Sequence, residues 1–103
     1  MDLSQLTITQ NPDRKRYEMQ VGDEIAFMEY ILRKEEEMYI THTEVPKSLE
    51  GKGIGSKLAA LVLEDMRKQG LKLVPLCPFM SYYIKEHPDD WDILSDQVSH
   101  KFK

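Results

Sequence analysis

Cysteine is nearly absent: Cys77 is the only one among 103 residues. No internal disulfide can form, so the fold must be held by packing, and a reducing compartment is expected. A basic excess is missing as well, because 14 Lys and Arg against 18 Asp and Glu leave a formal charge of −4. A molecule of that sign draws neither nucleic acid nor an anionic membrane through its overall field. No apolar run approaches the roughly 18–20 residues that span a bilayer. The opening MDLSQLTITQ has neither the basic nor the apolar region of a secretory signal. No Cys/His cluster has metal-site spacing, and the scattered methionines read as core filler. These absences leave a cytoplasmic protein with one domain over residues 1–103, and no metal, nucleic-acid or membrane partner.

What is present divides the chain in two. In the first half, Leu6 and Ile8, then Tyr17, Met19 and Val21, alternate with polar residues at the period of half-buried strands. Val21-Gly22-Asp23-Glu24 reads as a tight turn, and a further strand runs from Glu24 to Arg33. The charge run Lys34-Glu35-Glu36-Glu37 is a solvated hairpin turn. Met38–Val45 then forms a strand ended by Pro46, and period two puts His42 on one face with Met38, Ile40 and Glu44. In the second half, Leu58, Leu61, Val62 and Met66 have helical spacing within Ser56–Gln69, and Gly70 closes that helix. Leu71–Leu76 reads as an inner strand parallel to the one before the helix, and Phe79–Glu86 as a second helix stopped before Pro88. The tail from Trp91 fits either a strand or irregular packing. A meander leading into one strand-helix-strand unit is an α+β plan.

Glycine is scarce, yet Gly51, Gly53 and Gly55, three of the five, crowd the mouth of that helix. A helix N-terminus carries unpaired N–H groups and partial positive charge, and glycines remove the Cβ atoms that would hold a phosphate away. The spelling Gly55-Ser56-Lys57 excludes a P-loop, which closes in Gly-Lys-Ser/Thr. Ser56 stands where a dinucleotide fingerprint needs its third glycine. A plain connecting turn is the alternative.

Strand, EGKGIG, amphipathic helix and strand together resemble the acyl-CoA-binding core of the GNAT N-acetyltransferase superfamily, with its signature Gln/Arg-x-x-Gly-x-Gly/Ala. Gly53 and Gly55 fill the two small-residue slots, and Glu50 stands in the Gln/Arg slot. The stretch from His42 to Trp91, with HTEVP before the loop and CPF, YI and HP after the second strand, resembles the small single-domain members. The resemblance implies a GNAT-like fold with acetyl-CoA as co-substrate, held where Met38–Val45 and Leu71–Cys77 diverge. It assigns binding to Val45, Glu50, Gly51, Lys52, Gly53, Ile54, Gly55, Ser56 and Lys57. The pyrophosphate would lie on the backbone N–H groups of Lys52–Ser56, and the pantetheine would add like a partial strand. Glu50 departs from the family by placing a negative charge there. The long N-terminal helices that grip an acceptor in larger members have no counterpart in this sequence.

Acetyl transfer needs a base, donors for the thioester oxygen and an acid for the departing thiolate. His42 falls in the family's HTEVP piece and is a candidate base, with Glu44 able to orient it. Cys77 ends the second strand, where a thiol could accept the acetyl group before passing it on; the alternative is a small buried apolar residue. Tyr83 sits about where family members often hold a tyrosine that protonates the leaving thiolate, with core packing as its alternative role. His87 reads as a helix-end residue, and nothing recommends His100. Two functions follow: an acetyl-CoA-dependent N-acetyltransferase acting on an unidentified amine or protein acceptor, or a weakly active CoA-binding module acting through a protein partner.

Overall fold

The computed structural model describes residues 2–102. Alternation in the first half builds β1 (Thr9–Asn11), β2 (Arg16–Val21), β3 (Glu24–Arg33) and β4 (Glu37–Glu44). Each pairs antiparallel with the next. Helix α1 (Ile54–Gln69) then crosses over to β5 (Lys72–Pro75), which lies parallel to β4, and α2 (Pro78–Glu86) follows. The sheet order is β1-β2-β3-β4-β5, an α+β fold with a meander feeding one crossover.

Cross-strand pairing keeps partners on one face. The pairs Tyr17↔Met28, Met19↔Ala26 and Tyr30↔Ile40 put the large buried side chains of the meander together. Leu58, Ala59, Val62, Leu63 and Met66 of α1 join them in a single core, none more than 1% exposed. Burying each of the larger side chains contributes roughly 1.5–3 kcal/mol. The charge run folds as expected: Lys34 and Glu35 take left-handed φ angles of 54° and 58°, and the Glu36 N–H donates to the Arg33 carbonyl at 3.1 Å.

Several boundaries differ from the sequence expectation. Leu6 and Ile8 lie outside the ladder and pack half-buried on the core rim, because β1 pairs with β2 only over Thr9–Asn11. Helix α1 begins at Ile54, so Gly55 lies inside its first turn. β5 is the last named strand rather than an inner one; a single parallel bridge, Leu73↔Leu94, covers its other edge. The tail forms a 3-10 turn, Pro88–Ile93, supplies that bridge from the extended Leu94 just after it, then forms the short helix α3 (Asp96–Ser99) capped by Ser95. The Trp91 indole N–H, donating to the Ile84 carbonyl at 2.7 Å, ties the tail to α2.

Candidate active site

β4 and β5 separate after a short run of pairing. Their ladder extends only from Glu37↔Lys72 to Ile40↔Pro75. The N–H groups of Leu76 and Cys77 then both donate to the Ile40 carbonyl, each at 3.0 Å, and turn the chain into α2. β4 continues through Thr41–Glu44 paired with β3 but, among the described residues, with no partner on its β5 side. A wedge-shaped opening results.

A bulge decides which side chains face into it. Tyr30 pairs with Ile40 while Glu29 pairs with His42, so Thr41 is an extra residue, its hydroxyl donating to the Glu29 carbonyl at 3.3 Å. One extra residue reverses the alternation beyond it. Thr43, paired with Met28, therefore faces the core side, and His42 and Glu44 turn outward with Glu29 and Phe27. The expected face shared by His42, Met38, Ile40 and Glu44 is corrected: His42 and Glu44 remain together, on the opposite face from Met38 and Ile40.

Cys77 is the N-cap residue of α2 and is buried. Its Sγ accepts from the Met80 N–H at 3.4 Å and lies 3.3 Å from Thr43 Oγ1. On the outer face, His42 Nε2 and Glu44 Oε1 are 2.8 Å apart and both half-exposed. The Phe27 ring lies 6.1 Å from His42, and the Arg16 guanidinium sits 4.2 Å above Phe27 while pairing with Glu18 at 2.6 Å. Cys77 and His42 are thus not brought together. Nor does Tyr83 approach Cys77 in any hydrogen bond among the described residues; its ring stacks on His87 at 3.9 Å. Burial pushes the Tyr83 phenol up, the Asp90 carboxylate adds to the shift, and Arg67 opposes it.

The glycine loop forms the other end of the site. Gly53, the N-cap of α1, has φ +81° and ψ 8°, a left-handed conformation that side chains rarely adopt. Among the described residues none supplies an acceptor to the N–H groups from Gly51 to Ser56. Ile54 is buried in the core and also borders the loop's cleft. Lys52 is exposed and Lys57 half-buried, and neither has an ion-pair partner among the described residues.

Two adjoining clefts connect these ends. One, of about 300 Å³, is bounded by Gly51, Gly53, Gly55 and Ser56; the other, of about 420 Å³, by Thr43, Glu44, Pro46 and Lys47. Val45, Glu50 and Phe79 line both. The groove therefore passes from the unpaired amides to the residue that touches Cys77. Thr43 and Phe79 were not singled out from sequence. Each carried a signal, Thr43 within the HTEVP piece and Phe79 beside Cys77 in the CPF piece, but the bulge hid the face that Thr43 takes. Its ring is so close to α1 that a Cβ on residue 55 would come within 2.9 Å of Cζ.

Residues 16–94 match the profile of the family described as GCN5-related N-acetyl-transferase. The chain belongs to this family. It is 30% identical over 82 residues to Protein NATD1 of Xenopus tropicalis, covering 74% of this chain and 73% of that protein. Human Protein NATD1 matches at 37% over 49 residues, which are 48% of this chain and 43% of the human protein. The fold is similar to the NMR solution structure of a GCN5-like protein from Staphylococcus aureus. That match has a TM-score of 0.69 at 26% identity and covers 89% of this chain and 90% of the other. Gly53 and Gly55 thus stand at the helix mouth of a GNAT-family N-acetyltransferase domain.

Proposed function

We propose that the domain binds acetyl-CoA along the groove and transfers the acetyl group to an amine by way of Cys77. The continuity of the groove carries the proposal: unpaired amides at one end, the open edge of β4 between, and at the other Thr43, which touches the buried sulfur of Cys77. In this assignment the pyrophosphate rests on the N–H groups of Lys52–Ser56, with Lys52 and Lys57 adding charge. The pantetheine lies along Thr41–Glu44 and satisfies backbone groups that β5 leaves unpaired. The thioester then reaches Cys77, whose sulfur attacks the carbonyl carbon and releases CoA. The acceptor amine then removes the acetyl group, giving its proton to solvent at the open edge of β4; His42, held by Glu44 on the far face of the sheet, is assigned no step at this carbon. The surroundings of Tyr83 favour packing, and no proton transfer is assigned to it.

Two measurements test this. Calorimetry should show CoA binding to the parent protein. A rapid quench after mixing with acetyl-CoA, followed by peptide mass analysis, should place an acetyl group on Cys77 and leave Cys77→Ala unlabelled. Undiminished turnover by Cys77→Ala would leave direct attack by the amine and remove the covalent stage.

A further inference from the structure

We infer that Thr43 is the proton-relay residue for Cys77. This rests on the proposed acetyl transfer through Cys77 and gives a role to Thr43, which the HTEVP piece contains but to which neither that piece nor the strand periodicity assigns one. Two independent features place it. The bulge at Thr41 turns Thr43, instead of His42, to the core side of β4. The chain reversal into α2 then brings Cys77 Sγ to 3.3 Å from Thr43 Oγ1, while the Met80 N–H fixes the sulfur from its other side at 3.4 Å. Thr43 also lines the groove, beside the place assigned to the thioester.

The chemistry suits a hydroxyl better than a base. Moving an acetyl group from CoA to Cys77 exchanges one thioester for another. The Sγ–carbon bond forms, the carbon–sulfur bond to CoA breaks, and the electron pair of that bond leaves on the CoA sulfur. The proton lost by the Cys77 thiol is the one the departing sulfur needs. Thr43 accepts the thiol proton on Oγ1 as its own hydroxyl proton passes to the CoA sulfur, so no proton is gained or lost overall. A hydroxyl donates and accepts at once, and the position of His42 on the far face ceases to be an obstacle to this half of the reaction. No ionisable side chain of the described residues hydrogen-bonds to Cys77; its polar neighbours are Thr43 of β4 and the Met80 N–H of α2.

Thr43→Val keeps the branched shape suited to a strand and removes the hydroxyl; Thr43→Ser keeps the hydroxyl. Because Cys77 is the only cysteine, its alkylation by iodoacetamide can be followed by intact mass without CoA. Losing a donor to the thiolate should slow Thr43→Val several-fold at neutral pH. The rates should converge in strong alkali, where the thiol is ionised in both proteins, and Thr43→Ser should stay close to the parent throughout. Loading of Cys77 by acetyl-CoA should fall by about 100-fold in Thr43→Val, the lower range of acid–base contributions, and recover in Thr43→Ser. Parent-like alkylation and loading by Thr43→Val overturns the relay. So does a rate deficit that is the same at every pH, which signals altered access only. If the parent takes no acetyl while the alkylation difference holds, the acetyl-cysteine stage fails and the control of the Cys77 proton by Thr43 stands.

Discussion

At the scale of single residues, the glycine loop offers a test in which binding and folding move in opposite directions. Replacing Gly53 confounds the two, since its left-handed backbone strains any substitute and a Cβ there would lie 3.2 Å from Leu3 Cδ1. Ser56 is a cleaner probe: it is exposed, in the first turn of α1, and lines the glycine end of the groove. An acid in a first helical turn contributes about 0.3–1 kcal/mol, so Ser56→Asp should hold or raise the melting temperature. The same charge beside a pyrophosphate should weaken CoA binding by about tenfold or more, ~1.4 kcal/mol per decade. Glu50 lines both clefts and predicts the reverse. Glu50→Arg removes a like charge and adds a donor, so calorimetry should find CoA bound about tenfold more tightly at low salt, with the gain shrinking as salt rises. Unchanged affinity in both variants would move the phosphates away from this loop.

Between elements, the contact of α1 with α2 depends on the missing side chain of Gly55. A methyl there would meet Phe79 Cζ at 2.9 Å and Cε1 at 3.2 Å, so the ring must shift. Helix propensity favours alanine over glycine by about 0.8–1 kcal/mol, whereas overpacking costs typically ~1–3 kcal/mol. The steric cost should win, and Gly55→Ala should be less stable than the parent by about 1 kcal/mol. Phe79→Leu, which shortens the obstacle, should recover part of the loss when combined with it. Chemical denaturation of the two single variants and the double variant measures that coupling. Strict additivity would mean that the ring and the glycine do not constrain each other.

For the molecule as a whole, the titrating groups predict a stability plateau with two edges. Hydrogen bonding to Arg16 holds Glu18 below the usual carboxylate range, and hydrogen bonding to Arg67 does the same for Asp92. Their contribution is complete above the ordinary carboxylate values and is lost as pH falls through the lowered ones. On the alkaline side, burial, followed by the hydrogen bond to Asp65, pushes the Tyr17 phenol well above its ordinary 10.0. The unfolded chain ionises this tyrosine first, so its contribution is complete below about pH 10 and declines as pH rises toward the elevated folded value. Urea unfolding between pH 8 and 12 should therefore show a steeper alkaline loss in the parent than in Tyr17→Phe. Identical slopes would show that Tyr17 does not set this edge.

Much of this was legible in the sequence because it is written locally. Alternation in β2 and β3, the apolar stripe of α1, the closing Gly70 and the glycine-rich helix mouth each follow from the period or backbone angles of a few neighbouring residues. Their order sufficed to give the α+β plan; the separation of β4 from β5 followed only from the family resemblance. The face of His42 was not legible: a bulge is one residue without a partner, and it exists only when two strands are laid side by side. The meeting of Thr43 with Cys77 depends on that bulge and on the turn into α2, and the contact of Phe79 with Gly55 on the packing of two helices. Local chemistry supplied the sulfur, the histidine and the glycine-rich loop; only tertiary pairing decided that the histidine lies on the far side of the sheet and that a threonine stands beside the sulfur.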